Sequence, residues 1–74
     1  MKIQYFADTD TVYVLLNDHP IAETRDLDEN TLIDVDANGN LIAITIEHAK
    51  ERADIDNFVF QQVAVTVPTL VAAE

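Results

Sequence analysis

The chain has 74 residues, a formal net charge of −10 and no cysteine. That length predicts a single domain, residues 1–74, near the lower limit at which one hydrophobic core is sufficient. The missing cysteines exclude a disulfide framework and a thiolate metal site, and the negative charge disfavours direct binding to nucleic acid.

The first third of the chain predicts three strands. Residues 2–6 and 11–16 are rich in β-branched and aromatic side chains, and the Asp residues between them favour a turn. Residues 11–16 are apolar on both faces, which indicates an interior strand. Residues 21–27 contain charged side chains, so we expect a strand at a sheet edge. Tyr5 and Tyr13 are expected to pack as a cross-strand pair.

Residues 31–46 predict a β-hairpin, because an apolar residue recurs at nearly every second position around Asn38-Gly39. We predict a two-residue type I′ turn, in which both turn residues have positive φ. The expected register pairs Thr31 with Ile46 and Val35 with Ile42. One face of the hairpin then collects five apolar residues: Ile33, Val35, Ile42, Ile44 and Ile46.

The last third predicts a short surface helix over residues 47–53 and a final strand over residues 62–67. Residues 58–73 carry no charge at all. We therefore divide the domain into a sheet core with its helix, residues 1–52, and a C-terminal strand and apolar tail, residues 53–74. The uncharged residues 58–73 must be covered by the domain's own sheet or by a second subunit.

The hairpin sequence also matches the first half of a calcium-binding EF-hand loop, with Asp34, Asp36 and Asn38 at the first three ligand positions. The twelfth position, which should be a bidentate Glu, is Thr45. Strands rather than helices are expected on both sides of the loop. We therefore predict no metal site and keep incidental calcium binding at Asp34, Asp36 and Asn38 as a minor alternative.

Few residues offer catalytic chemistry. The chain has no serine and no cysteine, and its two histidines, His19 and His48, have no zinc-site spacing. We assign no catalytic residue and expect no cofactor. The alternative is an enzyme or small-ligand-binding protein, whose side chains would have to converge on one concave pocket. The candidate residues for that alternative are Asp10, Tyr13, Glu23 and His48.

Several spaced residues together resemble a known family. They are Met1-x-Ile3-x-Tyr5, Asp10-x-x-Tyr13-Val14-x-Leu16, Glu23-Thr24 and Leu32-Ile33-Asp34-x-Asp36-x-x-Gly39-x-Leu41-Ile42-x-Ile44-x-Ile46-x-x-Ala49. This pattern, over residues 1–52, resembles small bacterial proteins catalogued as domain of unknown function 2283. Phe6, Ala43 and Thr45 depart from that family, which usually has Asp, Gly and often Glu there.

The resemblance implies a small domain built on an antiparallel sheet, and it implies no activity. Members are often encoded beside small toxin-like proteins, which implies an antitoxin-like or partner-binding role. We expect an α+β, mainly β fold: an antiparallel meander of five or six strands with one short helix after the hairpin. We expect a non-enzymatic, cytoplasmic protein-interaction module that forms a homodimer and can bind a basic protein, without nucleic-acid or membrane partners.

Overall fold

A computed structural model describes residues 1–64, which form five strands and one short helix. The elements are β1 (Lys2–Phe6), β2 (Thr11–Leu15), β3 (Glu23–Asp28), β4 (Thr31–Val35), β5 (Leu41–Glu47) and α1 (Ala49–Arg52). Every strand pair is antiparallel. The predicted α+β, mainly β fold is confirmed, with five strands in the sheet and the short helix directly after the hairpin.

The strands lie in the order β1-β2-β5-β4-β3. β3, β4 and β5 follow one another as consecutive antiparallel neighbours, and β2 pairs with the far side of β5. β2 is therefore an interior strand, as its apolar faces predicted, whereas β1 and β3 form the two edges. The position of β3 confirms the prediction of a charged edge strand.

One face of the sheet is apolar across β1, β2, β5 and β4, because directly opposed residues share a face. Two rows on this face follow from the pairing: Ile3, Val14, Ile44 and Ile33, and Tyr5, Val12, Ile46 and Thr31. We call it the apolar face. Tyr13 lies opposite Gln4 and Thr45, on the other face. The predicted packing of Tyr5 against Tyr13 is therefore wrong.

The turn between β4 and β5 differs from the predicted type I′ turn. The Asp36 N–H donates to the Asn40 carbonyl at 2.9 Å, and the Gly39 N–H donates to the Asp36 carbonyl at 3.0 Å. Within this turn only Gly39 has positive φ, at 85°. These bonds enclose a three-residue loop, residues 37–39, in which Asn38 does not need the left-handed conformation.

The cause of this difference is the side chain of Asp36. Its carboxylate accepts the N–H groups of Asn38 and Asn40, both at 2.9 Å, and the Asn40 amide nitrogen at 3.2 Å. An Asp that binds the backbone two and four residues ahead stabilises the longer loop. The longer loop shifts the local register, so Val35 lies opposite Leu41 rather than Ile42.

The rest of the hairpin pairs as predicted, with Thr31 opposite Ile46 and Ile33 opposite Ile44. A bulge after Asp34 absorbs the extra residue, which is Ile42, between the residues opposite Asp34 and Val35. Val35 and Ile42 are the best buried of the five predicted residues, at 3% and 1% exposure. The centre of the core therefore lies at β4 and β5.

Helix α1 is shorter than predicted and is fixed to the sheet by its last residue. The Arg52 guanidinium donates to the Asn30 carbonyl at 3.0 Å, to the Thr31 hydroxyl at 2.6 Å and to the Asp28 carboxylate at 3.2 Å. None of the helices within residues 1–64 is long and apolar enough to cross a membrane.

Residues 53–64 contain neither a helix nor a strand. The predicted final strand, residues 62–67, is thus not formed over residues 62–64. Its remainder and the end of the apolar tail lie outside the described residues.

Candidate functional site

An open groove of about 860 Å³ lies on the apolar face, between the β1–β2 half of the sheet and the segment of residues 53–60. One wall is formed by Met1, just before β1, and by five strand residues: Ile3, Tyr5, Val12, Val14 and Ile46. The opposite wall contains Ala53, Asp54, Ile55, Asn57, Phe58 and Phe60. We call this feature the apolar groove. Within residues 1–64, Asp54 is the one charged residue that lines the apolar groove.

The described residues do not close this groove. Phe58 and Phe60 are 65% and 76% exposed, and Met1 and Ile3 on the other wall are 82% and 44% exposed. Full burial of one such side chain is worth roughly 1.5–3 kcal/mol. The groove is therefore a surface on which covering apolar material would gain considerable free energy.

A cluster of hydrogen bonds beside this groove joins β1 to the start of α1, and Asp10 is at its centre. The Asp10 carbonyl accepts the Ala49 N–H at 2.9 Å. Its carboxylate accepts the Lys50 N–H at 3.1 Å and the Tyr5 hydroxyl at 2.7 Å. Asp10 thus satisfies two N–H groups in the first turn of α1, from 40 residues away in sequence.

The same cluster changes the acidity of Tyr5. The hydrogen bond to Asp10, with partial burial and the negative charge of that carboxylate, raises the pKa of the Tyr5 hydroxyl from 10 to about 12. Tyr5 is therefore a neutral hydrogen-bond donor near physiological pH. This arrangement is suited to joining β1 to α1 and does not provide a general base.

The four residues of the enzyme or ligand-binding alternative lie in three separate places. Asp10 and His48 both lie beside the start of α1, with positive φ of 51° and 54°. Tyr13 is on the sheet face away from the apolar groove, and β5 and β4 separate its strand from that of Glu23. Glu23 forms an exposed ion pair with Arg25 at 3.0 Å, which lowers the pKa of the Glu23 carboxyl.

Neither the apolar groove nor a smaller open groove along residues 50–56 is lined by any of these four residues. His19 lies in the loop before β3, where its N–H donates to the Asn17 side chain at 3.0 Å. The four candidates therefore do not converge on one pocket: Asp10 and His48 lie beside α1, and Tyr13 and Glu23 lie elsewhere on the sheet.

Two of the three calcium candidates, Asp34 and Asp36, already have hydrogen-bond partners for their carboxylates. Asp36 holds the turn, and the N–H of Asn40, followed by other turn donors, lowers the pKa of the Asp36 carboxyl. Asp34 accepts the Thr24 hydroxyl across β3 and β4. Within the described part of the chain, no three His, Cys, Asp or Glu side chains are grouped so that they could hold a metal ion. Within the EF-hand pattern, Asp36 and Gly39 serve the turn, and Asp34 serves the pairing of β3 with β4.

The sequence indicated only part of the apolar groove. The uncharged stretch that begins at Phe58 pointed to apolar side chains, and the structure shows Phe58 and Phe60 exposed on one wall of the groove. The opposite wall, on β1 and β2, could not be predicted from the sequence. Alternation predicts which residues share a face of the sheet, but it does not show which face stays exposed. The role of Asp10 in capping α1 had no local signal at all.

Comparison with known proteins gives a family and no activity. Residues 2–50 match the model of a family described as "Protein of unknown function (DUF2283)". No curated protein and no solved structure matches the chain. The match covers all five strands and the start of α1, which is the part of the chain that forms the sheet. The chain therefore belongs to the DUF2283 family of proteins of unknown function.

Proposed function

We propose that this protein is a non-enzymatic interaction module that forms a homodimer through its apolar groove. The observation that carries the proposal is the exposure of Phe58 and Phe60 beside a sheet face whose residues are also apolar. Large exposed apolar surfaces with a polar surround are typical of protein–protein contacts. A twofold contact at this surface would bury apolar residues of both chains at once.

A second copy fits the groove in composition and in charge. A chain of 74 residues buries only about 60% of its unfolded surface alone, so a dimer adds the buried area that a small core lacks. With Asp54 as the single charged lining residue, two grooves can meet with few charges at the centre. The net charge of −10 on each chain would then lie around the contact, and added salt should strengthen the dimer by screening repulsion.

The test is light scattering on the full chain across a range of concentrations. We expect a dimer for the unmodified protein and self-association at least about 30-fold weaker for Phe58→Asp/Phe60→Asp, since buried aromatic residues carry much of the energy of an interface. The matched control is Ile21→Asp/Leu27→Asp. It adds the same charge at apolar residues that are 49% and 66% exposed and do not line the groove.

An equal loss of association in the control would show that net charge, rather than the groove, governs the dimer. A monomer at every concentration for the unmodified protein would overturn the proposal.

The same proposal includes an antitoxin-like association with a basic protein in the bacterial cytoplasm. It is supported by the 14 acidic against four basic residues and by β3, all of whose residues are exposed. Opposite charges accelerate association and make it sensitive to salt. We expect co-expression with the product of the adjacent gene to give a complex that weakens as salt rises. A neutral or acidic adjacent product, or a complex indifferent to salt, would contradict this part.

A further inference from the structure

The two edges of the sheet differ in how well they resist the addition of another strand. β3 has four charged residues among its six, all exposed, and its pairing is irregular between Asp26 and Asp28. Charges and irregularities of this kind prevent strand addition. β1 has a single charged residue, Lys2, and pairs regularly along its whole length. Of the two sheet edges that residues 1–64 form, β1 is therefore the one open to another strand.

The pairing pattern shows which backbone groups β1 offers at this edge. The Leu16 N–H donates to the Ile42 carbonyl at 2.8 Å, so even-numbered residues of β2 bond to β5 and odd-numbered ones bond to β1. The partners of those odd-numbered residues on β1 are Lys2, Gln4 and Phe6. Ile3 and Tyr5 therefore direct their N–H and C=O groups away from β2, to the open edge.

We infer that β1 of one copy pairs antiparallel with β1 of a second copy, about a twofold axis at Gln4. This inference rests on the homodimer proposed above and specifies how its two copies meet. Two five-stranded sheets become one continuous sheet, and the N–H and C=O groups of Ile3 and Tyr5 gain partners. A twofold contact uses the same strand on both chains, so one open edge is sufficient.

The register follows from symmetry and from the direction of the backbone groups. The residues whose backbone groups point to the open edge, Ile3 and Tyr5, must lie opposite each other across the two chains. A twofold axis at Gln4 gives the register in which all five residues of β1 are paired. Ile3 then lies opposite the partner's Tyr5 on the apolar face. Lys2 lies opposite the partner's Phe6 on the other face, where an ammonium group over an aromatic ring is favourable.

This pairing also joins the two apolar grooves. Ile3 and Tyr5 line the groove and belong to the open edge, so the grooves of the two copies become neighbours across the axis. One contact would then both bury apolar side chains and pair backbone groups. A second copy would therefore bind this edge more tightly than an unrelated strand that only paired its backbone.

Amide exchange in the unmodified protein tests the backbone part of the inference. The Gln4 N–H, which bonds to β2, should be protected at every concentration. The N–H groups of Ile3 and Tyr5 should gain protection only at concentrations where the dimer forms. Free exchange of both at full dimer formation would overturn the edge pairing.

Single-cysteine variants test the register, because the natural chain has no cysteine. The variant Gln4→Cys places two thiols opposite each other in a non-hydrogen-bonded pair, whose geometry is within reach of a disulfide. Controls are Lys2→Cys on the same strand and Thr24→Cys on the other edge, all three at exposed positions. Under mild oxidation we expect Gln4→Cys to form a covalent dimer at least about tenfold faster than either control, because pairing raises the effective thiol concentration.

The outcomes separate this inference from the proposed function. If the protein is a dimer but Gln4→Cys is no faster than Thr24→Cys, the edge pairing is overturned and the proposed homodimer stands. If Lys2→Cys is fastest, the axis at Gln4 is wrong. If the protein is a monomer at all concentrations and no variant links, both proposals are overturned.

Discussion

The two halves of the sheet contrast in how far the chain completes its own core. On the side of β4 and β5, Val35 and Ile42 are 3% and 1% exposed, and Arg52 fixes α1 over the strand ends. On the side of β1 and β2, Ile3 is 44% exposed and Phe60, across the apolar groove, is 76% exposed. One half buries its own apolar residues, and the other half leaves apolar surface exposed.

The largest expected effect comes from the closed half. Ile42→Ala removes a fully buried side chain and should cost about 2–5 kcal/mol of unfolding free energy. The control Ile3→Ala, measured at a dilution where the protein is monomeric, should cost about 1 kcal/mol or less, because that side chain is already half in water. Urea denaturation measures both. Equal losses would contradict the difference between the two halves.

A smaller loss is expected at the polar cluster around Asp10. Asp10→Gly keeps the positive φ of 51° without strain but removes the acceptor of the Lys50 N–H and the Tyr5 hydroxyl. We expect thermal unfolding to report a loss of about 1–2 kcal/mol. Asp8→Gly in the same turn is the control and should change stability by about 0.5 kcal/mol or less. If Asp10→Gly left the free energy of unfolding unchanged, α1 would not depend on this cap.

The turn between β4 and β5 gives the next effect. A Cβ on Gly39 would meet no atom within 4 Å, so the cost of Gly39→Ala is purely that of a positive φ of 85°. We expect a loss of about 1 kcal/mol. Gly39→Asn should lose less, because Asn tolerates this conformation. Unchanged melting of Gly39→Ala would contradict the three-residue loop closed by Gly39.

The last effect is spectroscopic and concerns Tyr5. In a Tyr13→Phe background Tyr5 is the remaining tyrosine, and its tyrosinate absorbance should titrate at a pKa of about 12. Since the pKa of Tyr5 is raised on folding, its contribution to stability is complete below pH 10 and is lost as pH rises from 10 through 12. Adding Asp10→Gly should move the midpoint back towards 10. An unchanged midpoint would exclude Asp10 as the cause.

The sequence was sufficient for the individual strands and most of the hairpin pairing, because their signals are local. Alternation and turn residues gave β1 within its observed bounds, placed β3 at an edge and paired Ile33 with Ile44. The turn itself was predicted wrongly, because Asn-Gly fits two loop lengths and the carboxylate of Asp36 selects the longer one.

The groove and the polar cluster depend on contacts between distant parts of the chain. The cap from Asp10 to Lys50 spans 40 residues, and neither residue carries a local signal for it. The groove required the strand order, since β1 and β2 are next to residues 53–60 only because β2 pairs with β5. Local patterns therefore predicted which residues are apolar, but they did not predict which of these residues remain exposed in the fold.

The most direct test of the homodimer is an isotope-filtered NOE spectrum of a sample that mixes labelled and unlabelled chains. Such a spectrum reports only proton contacts between different chains. We predict contacts between chains at the side chains of Ile3, Phe58 and Phe60. Contacts confined to one chain, or contacts between chains only at other surfaces, would contradict the proposal that a second copy covers the apolar groove.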